Sequence, residues 1–427
     1  MYMNKLLLIT SILVLSHQSA QAGITSHVIV TNSETCGIKQ QVWVIPGKSL
    51  PGLTGKLIDR ISLFKWNGVT LEQIPFQIDQ RDEKNRYVLP DTDNTVRDSG
   101  TNHFDNNDEL TLLPQDAGER MVTLPGSIGQ DALMEMELKD SMSADSRWLY
   151  IKSDISLAAT NARTYIHYSA ELNTVGTDGF EIGFSSATPF LIDRLRWRTD
   201  SADGWSPDVA DTMKIRHTGK LFGFIDFERN AADYHSRLVA VKQGPIRIIR
   251  RTENQVSMFW KLKSPSVLVD YVITPDGFTM DTIIDIPFSV GLFFSDLVTL
   301  TTVDWNSAAN LPVLTINSGN PHNALVVDGH MSAEKMAFNS FDQNALSIDS
   351  SLGNIQVTLT IPDDFPIVPQ LYLRDDITEI NAPEQDAGQF GNVGFTTTGW
   401  ENINTEVHHL EFNACLASKR SAVLLPN

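Results

Sequence analysis

Along most of this chain apolar and polar residues alternate one by one. The segments Gln41–Ile45, Leu133–Leu138, Arg147–Ile151 and Arg163–Tyr168 show it, as do Val267–Ile273, Met280–Ile286, Ile355–Ile361 and His409–Phe412. A period of two marks strands with one covered face, and β-branched and aromatic residues crowd these runs. Pro275, Asp276 and Gly277 separate two of them, which predicts a hairpin. The helical period is scarce, and Ala333–Phe341 is its best instance. Strand after strand without helices between them predicts antiparallel sandwiches and not βαβ units. The expected fold class is all-β, a small N-terminal β-sandwich followed by a large antiparallel one. Pro114–Gly118 and Pro125–Gly126 cluster turn formers. They set the expected division at residues 23–120 and 121–427.

Residues 1–22 read as a secretory signal peptide. Lys5 supplies the positive start, Leu6–Leu15 the apolar core, and Ala20, Gln21 and Ala22 the small-x-small cleavage site. The apolar run is about ten residues, against the roughly 20 that span a bilayer. No second long run follows, so no integral membrane segment is expected after cleavage. The expected location is the periplasm or the extracellular space. Two cysteines, Cys36 and Cys415, stand near opposite ends of the mature chain. In an oxidising compartment they predict one disulfide tying the termini, with two buried thiols as the alternative.

Charge changes the picture in two ways. The formal net charge is −19, which excludes nucleic acid as an expected partner, because phosphate contacts need lysine and arginine. The charge is also unevenly spread. Residues 194–263 hold 14 basic against 8 acidic side chains, while residues 72–120 hold 5 against 12.

The acidic stretch carries Asp91, Asp93 and Asp98, then Asp105, Asp108 and Glu109 among asparagines. Oxygen donors at this density suit a hard cation such as Ca2+. The spacing is not that of an EF-hand, and Asx-turns in a solvated loop explain the same residues. In the basic sector Arg194, Arg196 and Arg198 alternate with Leu195 and Trp197, so the arginines share one strand face. Lys214 with Arg216, and Arg247 with Arg251, repeat the pattern. Three such stripes on successive strands would make a cationic groove for an anionic polysaccharide, since guanidinium forks match carboxylates. Cross-strand pairing with Asp226, Glu228 and Asp233 is the competing reading.

Arg163, Tyr165 and His167 fall on one face of a third segment. Such a set suits β-elimination on a uronate, the arginine neutralising the carboxylate while Tyr165 or His167 moves the proton. Any amphipathic strand with a polar outer face gives similar spacing. His409 and Glu411 share a face at a two-ligand metal spacing, with His408 opposite among apolar neighbours. Absent are a Gly-x-Ser-x-Gly elbow, a His-Glu-x-x-His helix, a phosphate-binding P-loop, a dinucleotide fingerprint and a haem-attachment motif.

Five stretches carry a resemblance. Ile74–Asp79, Asn107–Leu110 with Asp116–Gly118, Asp211–Arg216, Gly244–Arg251 and Gly388–Gly394 resemble segments of a group of uncharacterised exported bacterial β-sandwich proteins. More distantly, the layout resembles the large sandwich of galactose-mutarotase-like proteins and polysaccharide lyases. The resemblance implies fold and export, and no catalytic motif transfers with it. The expected role is non-catalytic recognition of a carbohydrate or another envelope component. A lyase or hydrolase on an acidic glycan, and a structural or assembly protein of the envelope, are the alternatives.

Overall fold

The structure is a computed structural model that describes residues 24–32, 42–90, 102–121, 133–140, 146–153, 163–258, 262–306, 314–318, 323–378 and 390–419. The chain divides into two compact units. The first is residues 1–165 with 244–246, and the second is 166–243 with 247–427.

The first unit holds β1 (Ile24–Asn32), β2 (Trp43–Pro46), β3 (Ser62–Trp66), β4 (Leu71–Gln73), β5 (Gln77–Asp79), β6 (Glu109–Leu112), β7 (Leu133–Asp140) and β8 (Ser146–Lys152). One sheet runs β1-β7-β8-β3-β4 and the other β2-β6-β5. Ile45, Leu110 and Leu112 from the smaller sheet meet Leu63, Met136, Leu149 and Ile151 from the larger in one core. This is the expected small sandwich, with two differences. The expected boundary at 120 falls inside the unit, because β7 and β8 pair with β1 and β3. In addition, β1 runs parallel to β7. Their separation in sequence frees them from the antiparallel geometry that a short hairpin imposes.

The second unit opens with a meander, β9 (Ile166–Ser169), β10 (Thr174–Thr177), β11 (Phe180–Phe184) and β12 (Ile192–Trp197). There follow β13 (Ala210–Leu221), β14 (Ile225–Asn230), β15 (Tyr234–Gln243), β16 (Ile248–Val256), β17 (Val267–Thr274), β18 (Gly277–Asp285) and β19 (Phe294–Trp305). The remainder is β20 (Leu314–Asn317), β21 (Leu325–Val327), the short helix α1 (Ala333–Phe338), β22 (Ala345–Asp349), β23 (Gly353–Thr360), β24 (Val368–Arg374), β25 (Phe390–Thr398) and β26 (Val407–Ser418).

Two large antiparallel sheets result. One has five strands in the order β14-β13-β19-β25-β24. The other has nine, β15-β16-β17-β18-β26-β23-β22-β20-β21. Their inner faces share a core in which Phe395, Val393 and Leu371 meet Tyr271, Met280, Leu359 and Leu410. This is the expected large sandwich. Pro275 and Asp276 make the tight turn of the β17–β18 hairpin, with Thr274 opposite Gly277. The helix falls where the pattern put it. Ser332 caps it by accepting from the Lys335 backbone N–H at 3.3 Å. Among the described residues no helix is long and apolar enough to cross a membrane.

Candidate functional site

In the first unit, the acidic loop is laced together by its own hydrogen bonds. Asp105 Oδ1 accepts from the Asn107 backbone at 3.0 Å, which is an Asx-turn. Asp108 is buried and accepts from the backbones of Arg81 and Asp105 at 3.2 and 2.9 Å. Glu109 takes the Arg81 guanidinium at 2.7 Å and the Tyr87 hydroxyl at 2.9 Å. These carboxylates spend lone pairs on protein donors. Asp91 and Asp93 lie outside the described residues, and among the described residues no group of three or more His, Cys, Asp or Glu has the arrangement of a metal site.

Tyr165 and His167 are not a pair on one polar face. Tyr165 is buried in the first unit and donates to Asp116 Oδ1 at 2.5 Å, while Arg163 lies 4.7 Å over its ring. His167 is exposed on β9 of the second unit. Tyr165 and Ile166 are both buried, so strict alternation fails at that step. Burial, then the bond to Asp116, pushes the Tyr165 phenol up to about 12. A proton acceptor at neutral pH needs the opposite shift.

The basic sector of the second unit is largely neutralised from within. Leu195 and Trp197 are buried as alternation requires, but Arg194 reaches Glu181 and Asp208 at 3.8 and 3.7 Å. Arg196 lies 3.9 Å from Glu181, and Arg198 lies over the Trp205 ring. Arg216 lies 3.7 Å from Glu228. Lys214 is buried, 2.7 Å from a fully buried Asp304. Arg247 and Arg251 are buried too, the latter forked onto Asp270 at 2.7 and 2.6 Å. Alternation places side chains on a face, but both faces of β16 are covered. The three stripes therefore do not form one open groove.

At the C-terminal strand, His408 is buried, stacked on Phe365 with ring centroids 4.5 Å apart, and 3.0 Å from Asn404 Oδ1. His409 faces Asp281 at 2.8 Å, across the β18–β26 pairing. Cys415 is buried on β26, and Cys36 lies outside the described residues.

The feature with the strongest claim to function is a cavity of about 220 Å³ between the five- and nine-stranded sheets of the second unit. Phe227, Val267, Ile284, Phe294, Leu297 and Leu410 contribute to apolar walls. Alternation along β13 brings in Met213, Ile215 and His217, while Lys214 and Arg216 face away. A second cavity of about 130 Å³ adjoins it, with Met213, Met280, Thr301 and Phe412 belonging to both walls.

His217 stands 2.6 Å from the Tyr234 hydroxyl through Nε2 and 2.8 Å from Thr299 Oγ1 through Nδ1. His217 and Tyr234 both line the cavity and keep some accessible surface. Burial drives the imidazole down to about 4 and the phenol above its ordinary range. A phenol that holds its proton donates to Nε2, which leaves the ring proton on Nδ1 to donate to Thr299. The imidazole is thus neutral at physiological pH and saturated by two partners. Trp305, which lines the smaller cavity, has its Nε1 buried with no hydrogen-bond partner among the described residues, and Thr302 Oγ1, opposite Lys214 on the other face of β19, is likewise buried without one. Native interiors rarely leave such groups unsatisfied without a reason.

Sequence reasoning followed the cationic side of β13 and missed the other. The signal was present, since Met213, Ile215 and His217 alternate with Lys214 and Arg216. One histidine on an otherwise apolar strand face marks a polar group placed in a core.

No family model and no curated protein matches this chain. Among solved structures, an α-mannosidase from Enterococcus faecalis V583 matches at 8% identity and TM-score 0.43, over 90% of this chain and 42% of that one. An α-N-acetylgalactosaminidase, NagBb from Bifidobacterium bifidum, matches at 10% identity and TM-score 0.32, over 58% and 36%. This chain therefore spans less than half the length of either.

Proposed function

We propose that this chain is an exported, non-catalytic binding protein of the bacterial envelope. Its ligand places an elongated apolar part between the two large sheets of the second unit. The observation that carries the reading is the 220 Å³ cavity, apolar apart from a few satisfied polar groups. A pocket with largely apolar walls and sparse polar groups is the usual form of a small-molecule site. The polar inventory favours binding over catalysis. His217 at about 4 is a poor general base and carries no proton to give as an acid at neutral pH.

The test is displacement of anilinonaphthalene sulfonate from the mature protein by palmitate. Palmitate is expected to displace the dye from the wild type. Thr282→Phe, which puts a ring into the larger cavity, is expected to reduce palmitate binding by tenfold or more, roughly the loss of two buried methylenes. Equal affinity in both proteins, or no displacement from either, would exclude the cavity as a ligand site. An anionic polysaccharide as ligand has weaker support, because Arg194, Arg196 and Arg216 face internal acids while Lys214 and Arg247 are buried.

A further inference from the structure

Two turns of the second unit stand side by side at one end of the five-stranded sheet. One, residues 222–224, joins β13 to β14; the other precedes β19. The Phe222 backbone N–H donates to Phe293 O at 2.7 Å and fixes them together. Between them they expose Phe222, Phe224, Ile225, Leu292 and Phe293, with Phe224 at 75% and Leu292 at 71% of their free surface. Single exposed apolar residues need no explanation, but a contiguous set of five does. Phe222 also holds φ at +53°, beside Gly223 at +78°. A left-handed conformation costs a bulky residue roughly 1–2 kcal/mol. The backbone thus keeps an aromatic ring at a tip where glycine or asparagine would fit more easily.

The tip is continuous with the cavity. Phe222 meets Phe293 at 6.2 Å between ring centroids, and Phe293 meets Phe288 at 5.2 Å. Phe288 and Phe294 line the larger cavity, where Phe294 meets Phe227 at 5.0 Å. Smaller cavity, larger cavity and tip follow one another along β13, from Ala210 and Met213 through His217 to Leu221. From Met213 to Leu221 the strand advances roughly 26 Å, about the length of a long acyl chain.

The geometry points to the surface of an electrically neutral lipid bilayer as the partner of this tip. The inference rests on the apolar-ligand reading for its purpose, since a water-insoluble chain must come from, or go to, a lipid phase. It rests on the tip itself for its chemistry. Aromatic and aliphatic side chains on turns partition into the headgroup region without needing a shaped partner. A protein partner would instead meet a polar rim with side chains left to pair. Here residues 220–226 and 288–296 carry only Lys220, Asp226 and Asp296 as charges, and Lys220 is closed onto Asp226 at 2.5 Å. The net −1 of these turns, on a chain of −19, disfavours an anionic surface.

The test is flotation of the mature protein with phosphatidylcholine vesicles, alone and with phosphatidylglycerol added, beside a Phe224→Ser, Leu292→Ser double variant. Both side chains are exposed, so the variant should fold, and palmitate displacement checks that its cavity is intact. The wild type is expected to float with neutral vesicles, no better with anionic ones, and the variant to bind at least tenfold less. No flotation, equal flotation of the variant, or binding that needs anionic lipid and vanishes in salt would each overturn the proposal. So would a wild-type dimer in sedimentation that the same substitutions dissolve, since a second copy would then cover the patch. Flotation without palmitate displacement would remove the cavity reading and leave the docking surface standing. Displacement without flotation would do the reverse.

Discussion

His217, Tyr234 and Thr299 show how a few polar atoms are kept in an apolar interior. Each of the two histidine nitrogens has one hydroxyl partner, and burial favours the neutral ring. The folded imidazole titrates near 4, below its unfolded value of about 6.5, so the unfolded state binds more protons between those pH values. The stability this group contributes is complete above pH 6.5 and is lost as pH falls toward 4. Asp304 works in the opposite sense. Burial pushes it up to about 6 against the pull of Lys214, so the folded state gains protons and stability as pH falls through 6. A His217→Gln variant isolates the first effect, because Asp304 is common to both proteins. Its stability deficit against the wild type, read from urea unfolding, is expected to shrink from pH 7 to pH 4, by at most on the order of 3 kcal/mol. A deficit independent of pH would show that the imidazole does not titrate this low.

At the scale of elements, the two sheets are held by long paired strands and by places where one backbone closes on another. Gly394 on β25 is such a place. A Cβ built there would lie 2.1 Å from Thr301 O on β19, and backbone cannot swing aside as a side-chain tip can. Gly176 on β10 faces open space. Gly394→Ala is therefore expected to cost more than about 2 kcal/mol, while Gly176→Ala stays within about 1 kcal/mol of wild type. Similar melting temperatures for the two variants would mean that β19 and β25 are less closely set. Strand existence was readable here because period two survives wherever one face is covered, as at Leu195 and Trp197 of β12. Inside or outside was not readable for β16, where Arg250 and Arg251 are both buried, as is Arg247 just before it. There the charges go to partners on other strands, such as Asp270, which lies opposite Arg251 on β17, and the pattern within β16 does not report such a partner.

For the whole molecule, export and the link between the ends of the chain are the matters left to experiment. We propose cleavage after Ala22 and a disulfide between Cys36 and Cys415. Mass spectrometry of protein recovered from the periplasm or medium is expected to show a chain beginning at Gly23. Denatured without reductant, that chain is expected to show no free thiol, and with reductant two. Closing so long a loop removes unfolded-state entropy worth about 6 kcal/mol in the chain-entropy model, so reduction should lower the melting temperature measurably. Two free thiols before reduction would leave the sandwich cores to hold the fold alone.

By itself the sequence determined an all-β chain in two sandwiches, the β17–β18 hairpin and the short helix after Ser332. These depend on near-neighbour periodicity and turn chemistry, which residues carry with them wherever they are placed. Tertiary structure decided everything that depends on what lies across from a strand. It put β7 and β8 in the first unit, because their partners are β1 and β3. It neutralised much of the basic sector, because Glu181, Glu228, Asp270 and Asp304 arrive from other strands. It also opened the interior space beside His217, since a cavity belongs to two facing sheets and to neither one alone.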